Sequence, residues 1–271
     1  MSRYTVFGGR GFIGSEFVKE LSQLGHEVYV PERSDTDIYE HDLGIVIYSA
    51  GYGDCNKDPY NVLEANVVLL GSLLKRAKFQ RLVYVSSTRV YMDQLESHEE
   101  CDVKICEADS RKLFNLTKLT AEELCLKSGR DCIVIRPSNV YGLALNSTLF
   151  LPSIIRNALN KNQVDMYIEP SYAKDYISVT DVVSSTLELL KLKVVPKIIN
   201  IAYGKNVTAA EISNVLIENT NTKVNWISNT GNSCEVFPET DVTTLKSLIH
   251  YKPRYVLDDL KILIEEFKRK L

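Results

Sequence analysis

No stretch of this chain approaches the roughly 18 continuous apolar residues that a membrane-spanning helix needs, and its opening "MSRYTVFGG" lacks the apolar segment of a secretory signal. A cytoplasmic protein with no membrane partner is the expectation. Excess positive charge is missing as well: 32 Lys and Arg face 35 Asp and Glu, a net charge of −3. Nucleic acid and anionic membrane surfaces both call for concentrated cations, so neither is expected as a partner, and a small molecule is. Cys55, Cys101, Cys106, Cys125, Cys132 and Cys234 form no C-x-x-C pair, which reads as reduced thiols rather than a disulfide or metal framework; no metal site is expected. Asn115, Asn146 and Asn206 each open an N-x-[ST] match, which without an export signal carries no weight.

What is present is enough to fold unaided. The 271 residues are 45% apolar and 25% charged, sufficient for one large α/β domain or two lobes sharing a core. The first half alternates short β-branched or aromatic runs with longer amphipathic ones: "YTVF", "FIGSEFVKELSQLG", "EVYV", "GIVIYSA", "PYNVLEANVVLLGSLLKRA", "RLVYVSS", "KLFNLTKLTAEEL", "CIVIRP". Strand, helix, strand repetition predicts a doubly wound parallel sheet with helices on both faces. The second half is mixed, with helices near "LPSIIRNALNK", "VTDVVSSTLELLKL", "AAEISNVLIENT" and "LDDLKILIEEFKRK" between strands at "DYISV", "KIINIA" and "KVNWIS".

Between the first strand and first helix, "TVFGGRGFIGSEF" sets Gly9, Gly11 and Gly14 at G-x-G-x-x-G spacing, and Gly8 adds a second register. Glycines there permit a tight turn and close backbone approach to a pyrophosphate, which the free N–H groups of the helix N-terminus then face. Glu32 follows Gly14 by 18 residues at the end of the second strand, where an acid accepts from the adenosine ribose of NAD. Arg33, with Arg10 from the turn, suits the 2′-phosphate of NADP instead. Both cofactors stay open, with NADP preferred.

In "KLFNLTKLTAEEL" Lys118 shares a helical stripe with Phe114, Ala121 and Cys125. A lysine on an apolar stripe either snorkels to water or reaches something that needs its charge.

Together with "FGGRGFIG", the stretches "DPYNVLEANVVLLGSLLKRAK", "RLVYVSSTRVY", "CIVIRPSNVYG", "KDYISVTDVV" and "IINIAYGKNVTAAEI" resemble the extended short-chain dehydrogenase/reductases, the NAD-dependent epimerase/dehydratase group acting on sugar nucleotides. The resemblance covers nearly the whole chain. It implies a Rossmann lobe over 1–160 for NAD or NADP and a small mixed substrate lobe over 161–271, interleaved with the first. It also implies a homodimer formed through the long helices near 58–77 and 110–128.

By the same resemblance the cofactor is held by Gly8, Gly9, Arg10, Gly11, Phe12, Ile13, Gly14, Glu32, Arg33, Ala50, Lys118 and Pro137. Ser87 falls on the serine that contacts substrate, and Thr88 is its neighbouring candidate. Lys118 is the lysine of the family's Y-x-x-x-K pair, expected to reach into the cofactor cleft. Phe114, Asn139 and Lys174 fall on substrate-lining positions beside Ser87, and Tyr141 follows in the same motif.

Three features depart from the pattern. The tyrosine of the pair is replaced by Phe114, and none of the 15 tyrosines has a lysine four residues later. A phenyl ring has no proton to give, and general acid–base catalysis is commonly worth about 10²- to 10⁴-fold. Substitute donors are sought among Tyr52, Asp54, Cys55, Thr88, Tyr91, His98, Glu99 and Glu100. The arginine that often precedes "DYI" is Lys174, and no arginine lies between Arg156 and Arg254, so only Arg254 is left as a second diphosphate contact. Finally, "RSDTDIYEHDLG" is too short for the strand and helix of larger family members. The expected function is ketoreduction or epimerisation of a nucleotide-activated sugar; the alternative is a catalytically degenerate cofactor-binding sensor or partner subunit.

Overall fold

The computed structural model describes residues 1–227 and 235–271; Cys234 lies outside the described residues. In chain order the elements are β1 (Arg3–Phe7), α1 (Phe12–Gln23), β2 (Glu27–Tyr29), β3 (Ile45–Tyr48), α2 (Pro59–Leu63), a π-helical turn (Glu64–Val68), α3 (Leu69–Arg76), β4 (Arg81–Val85), α4 (Lys112–Lys127), β5 (Cys132–Pro137) and β6 (Asn139–Tyr141). They continue with α5 (Phe150–Lys161), β7 (Gln163–Met166), β8 (Ala173–Ser178), α6 (Val179–Leu190), β9 (Ile198–Ile201), β10 (Asn206–Thr208), α7 (Ala209–Thr220), β11 (Lys223–Trp226), α8 (Thr243–Leu248) and α9 (Val256–Lys270).

Six strands form one parallel sheet in the order β2-β1-β3-β4-β5-β9. This is the doubly wound, Rossmann-type α/β sheet that the alternating runs predicted. Both faces are covered. Phe17 and Leu21 of α1, Val182 and Val183 of α6 and Leu245 of α8 pack on Val6, Ile47, Val83 and Ile133, while Leu70, Leu73 and Leu74 of α3 and Ala121 and Cys125 of α4 pack on Val46, Tyr48, Leu82 and Val134. Burial from both sides is why these strands are nearly continuous in apolar residues.

A three-stranded sheet, β10-β8-β6, and the pair β11-β7 make up the remainder with α5, α7 and α9 around a separate apolar cluster that includes Ile155, Val164, Leu216, Ile264 and Phe267. Asn139 and Tyr141 belong to β6, paired in parallel with β8. No described helix is long and apolar enough to cross a membrane.

From β1 the chain runs outward to β2, then crosses back to β3 on the opposite side of β1. The loops after β1 and β3 therefore diverge at the carboxyl edge of the sheet, where doubly wound folds bind ligands.

Candidate active site

The glycine turn is shaped by contacts that a side chain would break. Gly8 has φ +75°, and a Cβ there would meet the backbone nitrogen of Ala50 at 2.7 Å. A Cβ on Gly14 would run into the Gly8 carbonyl oxygen and approach Ser49 Oγ to 2.7 Å. Ala50 is thereby locked against the turn from β3. Gly11 is different: its Cβ would meet only the Gly8 oxygen, at 3.2 Å, and it caps α1 from an exposed position. The first amides of α1, from Phe12 and Ile13 onward, have no earlier carbonyl within the helix to bond, so the turn closes on itself at Gly8 and Gly14 and stays open at the helix N-terminus. A diphosphate fits such an opening.

Three residues beyond β2, and so outside the strand it was expected to end, Glu32 faces Arg10 in a two-pronged ion pair, with Arg10 Nη1 donating to Glu32 Oε2 at 2.9 Å and Nη2 to Oε1. Asp35 accepts from the Glu32 amide and from Tyr29 Oη, both at 2.8 Å. Glu32 and Arg33 are exposed. The cation and the carboxylate that separately favour NADP and NAD are thus paired with each other.

Lys118 does not snorkel. It is 5% exposed, its Nζ donates to Val85 O at 2.9 Å, and it lies 4.9 Å from the centroid of the Tyr84 ring. Burial lowers its pKa to about 8, against a partly restoring pull from the Glu122 carboxylate one turn on. The loop after β3 passes directly over it: a Cβ at Gly51 would lie 3.2 Å from Lys118 Nζ and equally near Asn66 Oδ1. Asn66, fully buried in the π-helical turn, accepts from the Tyr52 amide and donates to Tyr52 O and to Thr117 Oγ1 on α4. One amide therefore ties the β3 loop to the helix carrying Lys118, a use of π geometry that often marks functional sites.

Phe114 is half-buried one turn before Lys118, its ring centroid 5.7 Å from Nζ. The Arg111 guanidinium covers that ring at 4.8 Å, and the two side chains border Gly53, where a Cβ would lie 3.2 Å from Arg111 Nη2 and 3.6 Å from the Phe114 ring. Ser87 is half-buried and accepts from the Arg89 amide at 3.1 Å, which leaves its O–H as a donor. Thr88, Tyr91, Asn139, Asp175, Asn206 and Phe237 line a small cavity of about 10 Å³, roughly the room for one water. Pro137 is buried at the end of β5, and Asn139 donates to Asp175 O at 2.7 Å.

The substitute donors separate sharply. Tyr91 Oη donates to Asn200 Oδ1 at 2.9 Å and accepts from Arg136 Nη1 at 2.6 Å; burial raises its pKa to about 12. Glu99 accepts from the Asn200 amide and from Thr244 Oγ1, and His98 pairs with Glu96. Tyr91 and Glu99 thereby tie distant segments together, whereas the His98–Glu96 pair is local and exposed. Arg254 contacts Ser178, Thr180, Asp181 and Asp259 around the start of α6.

Lys174 enters a charged cluster that sequence spacing did not reveal. Glu235 Oε1 accepts from Arg89 Nη2 at 2.6 Å, and its Oε2 accepts from Tyr172 Oη at 2.9 Å and Lys174 Nζ at 3.4 Å. Burial opposes ionisation of Glu235, but Arg89 and Lys174 outweigh it and bring its pKa to about 2. Arg89 also donates to Asp109 at 2.7 Å. A second buried pair joins Arg136 with Glu122, at 2.5 and 3.0 Å, and Glu122 also accepts from Ser86, the residue before Ser87.

Residues 4–202 match the family described as "NAD dependent epimerase/dehydratase family". Among curated proteins, UDP-glucuronic acid decarboxylase 4 of Arabidopsis thaliana is 22% identical over 309 residues, covering 99% of this chain and 69% of that protein. GDP-6-deoxy-D-mannose reductase of Pseudomonas aeruginosa is 26% identical over 248 residues, covering 80% and 79%. Among solved structures, MoeE5 in complex with UDP-glucuronic acid and NAD matches with a TM-score of 0.85 at 23% identity, over 99% of this chain and 100% of that one. RMD from Pseudomonas aeruginosa complexed with NADPH matches at 0.82 and 21%, over 100% of both. At these identities the structural likeness establishes the fold.

Proposed function

Because this chain belongs to the NAD-dependent epimerase/dehydratase family, we propose that it is an NAD(P)-dependent oxidoreductase or epimerase acting on a nucleotide-activated sugar, with ketoreduction the favoured reaction. The observation that carries this reading is the open helix N-terminus at Gly11, at the switch point of the sheet, together with a buried lysine on α4 facing the same edge. Relatives with named activities on nucleotide sugars include reductases and decarboxylases.

A bound nicotinamide cofactor supplies or accepts the hydride. Phe12, Ile13 and the glycine turn would hold its diphosphate, with Ala50 and Pro137 flanking, while Arg10, Glu32 and Arg33 would meet the adenosine ribose and Lys118 the second ribose. The protein's own part is then to orient a sugar oxygen and manage its proton. Ser87 has its O–H to donate to that oxygen, with Thr88 beside it. Phe114 contributes shape but no proton. Lys118, whose pKa near 8 matches neutral conditions, is the proton-bearing group proposed to replace the missing tyrosine. Delivering a proton to a developing alkoxide is less demanding than removing one from an alcohol, so reduction suits this site better than oxidation. The exposed apolar residues Tyr60 and Leu63 on α2 and Val68 in the π-helical turn, with Leu116 and Leu124 on α4, support a homodimer through these helices.

A second reading is a cofactor-binding protein without turnover, favoured by Phe114. Thermal-shift titration with NAD, NADH, NADP and NADPH, followed by turnover on 4-keto sugar nucleotides, separates the readings. At 100 times its dissociation constant the cognate cofactor adds about 2.7 kcal/mol, a rise of several degrees for a chain of this size. A shift with turnover is the expected result; a shift without turnover supports the second reading, and no shift with any of the four overturns both.

A further inference from the structure

The cluster around Glu235 is a site already filled by a carboxylate. Arg89 is 7% exposed, and its Nε is buried with no hydrogen-bond partner among the described residues. Asp109 is committed to the polypeptide, accepting from Arg89, from the Arg111 amide at 2.8 Å and from Asn115 Nδ2 at 2.9 Å. Glu235 comes from a remote part of the chain, 146 residues beyond Arg89, and its side chain is 28% exposed.

Among the described residues the cations outnumber the acids. Arg89, Arg111 and Lys174 stand against Asp109 and Glu235, and among the described residues the Arg111 guanidinium makes no ion pair or hydrogen bond. Like charge is felt: burial and then the Arg89 guanidinium hold the pKa of Arg111 below its ordinary value. Tyr172 and Phe237 wall the cluster, their ring centroids 4.9 and 4.8 Å from Lys174 Nζ. A half-dry site with surplus cationic charge gains from a second anion or a better placed one.

Its position identifies which part of a substrate it would meet. Arg89 is two residues past Ser87, and Arg111 lies on the Phe114 ring, one helical turn from Lys118. On the roles proposed for Ser87 and Lys118, Arg89 and Arg111 lie at the reacting end of the cleft.

We propose that Arg89, Arg111 and Lys174 form the subsite for a carboxylate carried on the sugar ring of the substrate, and that Glu235 occupies this subsite as an internal stand-in which an acidic sugar displaces. The inference rests on the nucleotide-sugar reading and narrows it to nucleotide uronates. The planar group already seated, with one oxygen on Arg89 and the other on Tyr172 and Lys174, has the shape and charge of the group expected to replace it.

The test is calorimetric binding to the cofactor-loaded protein of two matched pairs, UDP-glucuronate with UDP-glucose and GDP-mannuronate with GDP-mannose. In at least one pair the acidic member is expected to bind about tenfold more tightly, the scale of one charge-assisted hydrogen bond. Glu235→Gln, which removes the competing charge and keeps the shape, should strengthen the acidic member about tenfold and leave the neutral one within roughly twofold. Arg111→Gln should weaken only the acidic member. Equal binding of the two members overturns the inference, as does a Glu235→Gln gain shared equally by both, which would assign the cations to the diphosphate. Binding of none of the four removes the nucleotide-sugar reading as well, whereas equal binding leaves that reading intact.

Discussion

On the proposed reading, Phe114 puts an inert ring, 5.7 Å from Lys118 Nζ, at the position of the family's proton donor. Restoring the hydroxyl with Phe114→Tyr puts a phenol beside an ammonium that lowers its pKa, and general acid catalysis of this kind is worth about 10²- to 10⁴-fold. Turnover on 4-keto sugar nucleotides should rise by at least about 100-fold; a fall would identify the phenyl ring as part of a specialised site. Lys118 itself carries a pH signature. Its native pKa of about 8 lies below the unfolded value of 10.5, so the unfolded chain binds the proton more tightly. The cost of burying the cation is therefore fully present below pH 8, and native stability recovers as pH rises from 8 towards 10.5. Relative to Lys118→Met, the wild type should gain about 2 kcal/mol in unfolding free energy between pH 7.5 and 9.5. Denaturant titrations at both pH values check this, and a pH-independent difference would contradict it.

At the scale of the element, the β1–α1 turn is the most constrained part of the site. A methyl group at Gly14 would push α1 away from the Gly8 carbonyl and Ser49. Gly14→Ala is therefore expected to cost roughly 1–3 kcal/mol, the usual range for overpacking, and to abolish the cofactor-dependent thermal shift. A normal shift in the variant would show that helix packing does not set this opening. This element was legible in the sequence because everything that shapes it falls within a few residues: glycine spacing, a β-branched strand before it and an amphipathic helix after it. The short strands β6, β7 and β10 were not, since three or four residues carry no usable period and are strands only through their neighbours. "NVY" of β6 carries no strand signal in sequence and pairs with β8 in the fold.

Across the whole molecule, the buried Arg136–Glu122 pair joins β5 to α4, and through Ser86 and Tyr91 reaches the Ser87 turn and Asn200 of β9. Both side chains are under 5% exposed. Arg136→Met leaves the carboxylate without its countercharge and should destabilise the protein by about 3–5 kcal/mol, read by urea denaturation. The double variant Arg136→Met, Glu122→Leu should recover most of that loss, because two apolar groups replace two desolvated charges. If the double variant were no more stable than the single one, the pair would matter for a reason other than its charge balance.

The sequence by itself determined the sheet, the order of its long elements, the glycine turn at its switch point and the position of Lys118 on α4. Each depends on local periodicity or on spacing within one turn or motif, and such patterns are written along the chain. Only the tertiary structure decided where the Lys118 ammonium goes, that Arg10 and Glu32 neutralise each other, that Tyr91 and Glu99 are tied up in holding the polypeptide, and that Glu235 lies among Arg89, Lys174 and Tyr172. Those outcomes turn on groups 22 to 146 residues apart, and on the withdrawal of water that makes a charge costly or a neighbour strong. Neither distance in space nor dryness has a local signature in sequence.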